Sequence, residues 1–312
     1  MRNPFYSTEL PVTAPFCDRE TELKELISHA ENRANVVLYS PRRYGKTSLV
    51  KRVQAGLARH NIVPVYIDFF GVDSIETVAQ KLAVALYSHY SKDLPLLRKA
   101  ARILSSWRPV ITMKPDPESG FTISAEPTVR ARGLDLIDET FAQFGKFTEG
   151  HKKGFHVVFD EFQEITQLQN SLKIEGTMRS HIQGHSHVSY FFVGSRRRVL
   201  MDIFSGNKRP FYKSAINYHL SELPREEAVA FIVKRFASGG KTCPDNIAAR
   251  IYDLVSGYPY YIQRIPYSIY EITDDEHIAR DDLARGLSQV YEEEKPVYES
   301  YLQAMTPVQI RL

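Results

Sequence analysis

Residues 36–53, VVLYSPRRYGKTSLVKRV, constrain this chain more than any other stretch. Four β-forming residues, Val36 to Tyr39, run into a short loop that holds Gly45-Lys46-Thr47. Leu49, Val50, Val53 and Leu57 then recur at helical spacing. A strand, loop and helix in that order gather backbone N–H groups at a helix N-terminus. Those donors lack internal partners there, and the helix dipole favours an anion. Ser40-Pro41-Arg42-Arg43-Tyr44-Gly45-Lys46-Thr47 aligns with the phosphate-loop pattern G-x-x-x-x-G-K-[ST] except at its first glycine. The expected phosphate donors are the amides of Arg43, Tyr44, Gly45, Lys46, Thr47 and Ser48. Lys46 is expected to reach the β- and γ-phosphates, and the Thr47 hydroxyl to hold Mg²⁺. Ser40 replaces the flexible glycine, and Pro41 contributes no amide.

Around the loop, strand and helix signals alternate. A helix is expected over Glu20–Glu31, and strands over NVVLYS, IVPVYIDFF (62–70), FHVVFDEFQEI (155–165), VSYFFVGS (188–195) and INYHLSEL (216–223). Unbroken apolar strands between helices predict a parallel sheet covered on both faces. RPVITMKPDPESGFTISAEP (108–127) breaks the alternation and reads as an inserted hairpin around a Pro/Asp/Ser/Gly turn. Beyond Leu223 only helices are expected, over about 225–238, 244–256, 259–273 and 280–304. An α/β domain (1–223) therefore precedes a helical domain (224–304). In AMTPVQIRL, Thr306 and Pro307 have the pattern of a helix start, which suggests a further domain beginning at 305–312.

In VVFDEFQ the strand ends in two carboxylates. Asp160 is the candidate Mg²⁺-side group, and Glu161 the candidate that orients or deprotonates an attacking water. The strand YFFVGS ends in Ser195, the candidate polar contact to the γ-phosphate and the water, with Arg196 second. His181, His185 and His187 lack a nearby Cys or acidic ligand and are expected in a solvated helix-to-strand loop. The tyrosines at 258–272 recur at helical spacing and are expected in the helical core, whereas EEEK (292–295) reads as an exposed acidic face.

Composition narrows the class. Hydrophobic residues make up 43% and charged residues 25% of 312, and the net charge of +3 is too small to argue for a nucleic-acid or membrane partner. Cys17 and Cys243 form neither a disulfide framework nor a metal knuckle. The apolar runs are too short to span a bilayer, and the N-terminus lacks a signal-peptide core. A cytoplasmic protein without a membrane partner is expected.

SPRRYGKTSL, VVFDEFQ, FFVGS and SGYPYYIQ together resemble the prokaryotic (archaeal-type) STAND ATPases, which are AAA+-related P-loop NTPases. The resemblance implies an ASCE-type three-layer αβα core with a parallel sheet, an α-helical lid domain and a winged-helix domain. It implies ATP and ADP as ligands with Mg²⁺, and slow hydrolysis that resets a molecular switch. FCDRETEL (16–23) is similar to the family's adenine-side segment F-x-G-R-E-x-E-L, so Phe16 and Arg19 are implied nucleotide contacts and Asp18 replaces a glycine. RPFYKSA (209–215) is similar to a segment that carries a basic residue toward the phosphates, which implies Arg209 or Lys213 as arginine-finger equivalent. Gly257-Tyr258-Pro259 matches the family's G-x-P motif, with Pro259 on the nucleotide side. Two alternatives stay open: a DNA-associated, initiator-like AAA+ ATPase whose further domain contacts DNA, and a non-hydrolysing nucleotide-binding scaffold. A homo-oligomer or a protein partner is compatible with each.

Overall fold

Five of the apolar runs form one parallel sheet. A computed structural model of the chain describes residues 2–8, 10–88, 110–116, 120–126 and 133–306, with the backbone alone at 87–88, 110–116, 120–126 and 304. Its strands are β1 (Val36–Tyr39), β2 (Ile62–Asp68), β3 (Val110–Asp116), β4 (Gly120–Glu126), β5 (Gly154–Asp160), β6 (Val188–Gly194) and β7 (Ile216–His219). The large sheet has the order β2-β5-β6-β1-β7, while β3 and β4 pair antiparallel as a separate hairpin within the expected insertion. β6 thus separates the phosphate-loop strand β1 from the acidic strand β5, the arrangement of an ASCE-type core. With helices on the sheet's flanks, this is a three-layer αβα fold followed by a helical part.

Two compact units are present. The sheet unit comprises Glu20–Arg42 and Leu49–Leu220, and the helical unit comprises Met1–Arg19, Arg43–Ser48 and Ser221–Leu312. Helices α1 (Glu20–Glu31), α3 (Ile75–Ser88), α4 (Gly133–Glu149), α5 (Ser171–Gly184) and α6 (Arg197–Ser205) belong to the sheet unit. α2 (Lys46–Leu57) starts in the loop residues and continues into it.

β6 is buried along its whole length and β5 nearly so, as interior parallel strands covered on both faces must be. Edge strand β7 is mostly exposed. Register sets Tyr39 opposite Gly194, and Phe159 opposite Phe192, so β1, β6 and β5 all end at one edge of the sheet. Phe159, Phe162, Phe192, Phe204 and Phe211 fill the core behind that edge, with Phe162 lying 4.8 Å from Phe192 and 5.6 Å from Phe211 between ring centres. The expected third strand stops at Asp160 rather than Ile165. Glu161 is left-handed (φ 48°), and a 3-10 turn (Phe162–Gln167) drives Phe162 and Ile165 back into this core.

The helical unit contains α7 (Arg225–Ser238), α8 (Asp245–Val255), α9 (Pro259–Ile272) and α10 (Arg280–Ala304). Ile232, Phe236, Ile251, Ile262 and Ile269 form its core. The N-terminal segment joins it through Phe5, whose ring meets Phe236 edge-on at 4.8 Å. Of the segment expected to begin another domain, Met305 and Thr306 are among the described residues and 307–312 lie outside them.

One interior group titrates with a calculable sign. His156 in β5 is fully buried, with Nδ1 2.8 Å from Ser189 Oγ and its ring edge-on to Phe191, and burial pushes its pKa down to about 3. The unfolded chain therefore takes up a proton near pH 6.5 that the folded chain refuses, and stability falls as pH drops through that window. His185, pushed down to about 4 chiefly by burial, acts in the same sense. Glu175, pushed up to about 7 by burial against the pull of Arg209, acts oppositely between pH 4.5 and 7. Urea unfolding of the parent and of His156→Gln between pH 4.5 and 6.5 should differ in pH slope by about 1 kcal/mol per unit, with the variant less acid-sensitive. Equal slopes would show that His156 is not buried neutral.

Candidate active site

At the end of β5, the chain turns so that two carboxylates face different partners. Asp160 is 4% exposed. Its Oδ2 accepts the Tyr66 hydroxyl from neighbouring β2, and its Oδ1 accepts the Glu161 amide at 2.9 Å. Glu161 is half-buried, and its left-handed backbone redirects the side chain away from the pleat alternation of the strand. Its Oε2 accepts Ser195 Oγ at 2.9 Å, and also the side-chain amide of Gln163. Ser195 follows directly after β6 and is 9% exposed. The expected base and the expected polar strand-end residue are therefore hydrogen-bonded to each other. The loop from Ser40 leaves β1 at this same sheet edge.

The remaining loop residues group with the helical unit. Arg43 is left-handed (φ 62°) and Gly45 has φ 84°. A Cβ added at Gly45 would meet nothing within 4 Å among the described residues, so the backbone there borders space of the kind an anion needs. Tyr44, Lys46 and Ser48 are buried and Thr47 is half-buried. The Tyr44 hydroxyl donates to Glu222 at 3.2 Å, and its ring meets Tyr258 edge-on at 4.9 Å. The Arg43 guanidinium lies 4.2 Å above the Tyr260 ring and 3.7 Å from Glu294 of α10. Gly257 (φ 73°) and Pro259, the first residue of α9, set where that helix starts, because a Cβ at 257 would lie 2.5 Å from the Leu223 carbonyl oxygen.

Glu294 is not the exposed acidic residue its sequence neighbours suggest. Its side chain is 12% exposed and accepts the hydroxyls of Tyr260, Tyr261 and Tyr298 at 2.7, 2.7 and 2.8 Å. Burial alone would raise its pKa, but the three hydroxyls and Arg43 outweigh that and hold it below the usual carboxylate range. Burial and Glu294 push Tyr260 upward. Tyr258, Tyr260 and Tyr261 thus serve a polar cluster at the loop as well as the helical packing.

On the adenine-side segment, Asp18 (φ 53°) and Arg19 (φ 74°) are both left-handed. Asp tolerates that conformation at the position where the resemblance has glycine. Arg19 is 3% exposed and donates to the Ser221 carbonyl, whereas Phe16 is half-buried. Arg209 pairs with buried Glu175 of α5 at 2.6 Å. Lys213 donates its amide to Phe204 O, and Arg196 pairs with Glu164 at 3.0 Å. His185 and His187 stand in the loop between α5 and β6, as expected, whereas His181 is helical and His185 is not solvated. His181 lies on α5 against Asp138, and half-buried His185 bonds the Tyr190 hydroxyl and packs on Phe141 and Phe144. Gln163, Tyr66 and Glu294 were not singled out by the sequence. Gln163 alone carried a signal, standing within the quoted acidic strand end.

Among the described residues, no group of three or more His, Cys, Asp or Glu side chains is placed to hold a metal. Mg²⁺ bound with a nucleotide needs no such group, since it keeps waters and takes one or two protein ligands plus phosphate oxygens. A carboxylate-bearing Asp160 at a strand end and the Thr47 hydroxyl at a helix start are the donor types that such an ion uses. No described helix is long and apolar enough to cross a membrane.

Strand order, phosphate loop and strand-end carboxylates together define a P-loop NTPase of ASCE type. The chain belongs to the family described as an ATPase domain predominantly from Archaea, whose model matches residues 16–265. No individually curated protein matches it. Among solved structures it is similar to a Walker-type ATPase of Pyrococcus abyssi, with 15% identity and a TM-score of 0.61 over 93% of this chain and 75% of that one. The ORC1 protein of Aeropyrum pernix, solved with DNA, gives 13% identity, a TM-score of 0.59 and coverage of 91% and 68%. The ORC2 protein of the same organism, solved as ADPNP–ADP complexes, gives 16%, 0.58, and 90% and 70%. Identities this low establish a shared fold.

Proposed function

We propose that the chain binds Mg·ATP, hydrolyses it slowly to ADP and phosphate, and works as a nucleotide-dependent switch of the STAND type. The observation that carries this reading is Glu161, a carboxylate held by Ser195 at the sheet edge from which the phosphate loop departs. In this assignment Lys46 and the amides of residues 43–48 bind the phosphates, while Phe16, Arg19 and Pro259 bound the rest of the nucleotide. Thr47 and Asp160 would hold Mg²⁺, which would supply charge neutralisation at the phosphates. Glu161 accepts the proton of the attacking water, and Ser195 fixes the carboxylate. Arg209, once freed from Glu175, or alternatively Lys213, completes the charge. The complexes of the similar ORC2 protein with ADPNP and ADP support nucleotide as the ligand.

The switch assignment draws on Arg43. A γ-phosphate in the loop competes with Glu294 for its guanidinium, which couples nucleotide state to α10. Glu294→Gln should change the ratio of ATP to ADP affinity by up to about tenfold, on the order of 1 kcal/mol of coupling, as read by calorimetry. An unaltered ratio would remove Arg43 from the switch.

The test of hydrolysis is phosphate release from Mg·ATP by the purified chain, with and without EDTA, beside ATP affinity. Magnesium-dependent release is expected. Tight binding without release would instead favour a scaffold. A second reading, a DNA-associated ATPase, is favoured by the fold shared with ORC1 solved with DNA. Duplex binding that weakens steeply with salt would support it.

A further inference from the structure

We propose that Gln163 is a positioning residue: together with Ser195 it clamps Oε2 of Glu161, leaving Oε1 as the oxygen that takes the proton from the attacking water. The proposal rests on the reading of Glu161 as the base. In the step it serves, the water oxygen bonds to the γ-phosphorus as its proton passes to Oε1. The bond from phosphorus to the bridging oxygen breaks, and ADP leaves with that electron pair.

Three observations and one chemical argument converge on this role. Gln163 is fully buried, in a 3-10 turn whose neighbours Phe162 and Ile165 are also fully buried, a setting in which an apolar side chain would cost less. Its Nε2 donates to Glu161 Oε2, while its own Oε1 is buried without a hydrogen-bond partner among the described residues, so the polar contact described for this side chain is with Glu161. The orientation of the amide follows from chemistry, because a carboxylate accepts and cannot donate, so the NH₂ end must face it. Lastly, a Cβ added at Gly194 would fall 2.0 Å from Gln163 Oε1 and 3.2 Å from its Cδ. The amide therefore lies directly on the end of β6, beside Ser195.

The Gln163 main chain is itself pinned, its carbonyl accepting Thr166 Oγ1 at 2.7 Å. Two donors from different elements, the turn after β5 and the end of β6, thus meet on one oxygen of one carboxylate. A base held at one oxygen from two directions presents the other in a fixed place, which is the geometric requirement for proton transfer in a near-attack arrangement.

Two measurements decide it. In ¹⁵N spectra of the parent chain, the Gln163 side-chain amide protons should exchange with water at least about tenfold more slowly than in Glu161→Ala. Equal exchange rates would overturn the clamp, and this readout does not depend on turnover. In phosphate release from Mg·ATP, Gln163→Met and Gly194→Ala should each lower kcat roughly 10- to 100-fold, with ATP affinity held within about twofold. Gln163→Glu keeps the shape but loses the donor, and should fall as Gln163→Met does. A kcat within about twofold of the parent for Gln163→Met, or a loss confined to KM, would overturn the positioning role. Absence of release by the parent would instead overturn the hydrolytic reading, with the amide exchange still deciding the clamp.

Discussion

Glu161→Gln is expected to lower the rate of phosphate release by roughly 10²–10⁴-fold, the usual worth of a positioned general base. The replacement is isosteric, so its carbonyl oxygen can still accept the Ser195 hydroxyl and the Gln163 amide that now meet at Oε2. The left-handed turn at 161 is set by the burial of Phe162 and Ile165 behind it, and the exchange of one oxygen for nitrogen leaves that packing alone. What is lost is the capacity to take a proton. ATP affinity should stay equal or rise, because one negative charge beside Asp160 has gone. Single-turnover phosphate release together with nucleotide titration separates the two effects. A loss smaller than about tenfold would mean that another group orients the water.

Lys46→Ala is expected to weaken ATP binding by about 1.5–3 kcal/mol, roughly 10- to 150-fold, the range for hydrogen bonds to charged groups. Lys46 is 6% exposed and is the first residue of α2. Alanine is the best helix former, so the helix should persist and the thermal midpoint of the apo chain should move little. Thr47 and the loop amides remain to bind phosphate weakly. Fluorescent-nucleotide titration at fixed salt reads the change, and unchanged affinity would remove Lys46 from the phosphate site. These two variants divide the proposed activity between binding and chemistry. Lys46→Ala should lose affinity first, and Glu161→Gln should lose turnover while affinity survives.

Much of the architecture was legible because it depends on local pattern. The apolar runs at 36–39, 155–159 and 188–193 predicted buried parallel strands, and they occupy the sheet's interior. The helices at 20–31, 225–238 and 280–304 begin and end where their patterns did. The strand through 155–165 was overextended, because Phe162 and Ile165 continue the apolar run while the chain has already turned. The core accepts them equally well from a strand or from a 3-10 turn, and period alone does not tell the two apart.

The side chains whose reading changed are those whose partners lie far along the chain. Glu294 stands in an acidic run that reads as a solvated face, yet three tyrosine hydroxyls and the loop arginine surround it. His185 does stand in a loop, yet it is half-buried against two phenylalanines of α4 instead of solvated. Gln163 stood in view beside Asp160 and Glu161 without a stated role, since an amide declares its function through its partner. Taken by itself, the sequence named the groups proposed to bind phosphate, ligate a metal or accept a proton, and the elements on which they stand, because residue chemistry and hydrophobic period are local properties. The tertiary structure alone decided that Ser195 and Gln163 grip one oxygen of Glu161 and that Arg43 answers to Glu294. Such pairings arise when separately formed strands and helices pack, and no spacing within one element specifies what the next element brings to meet it.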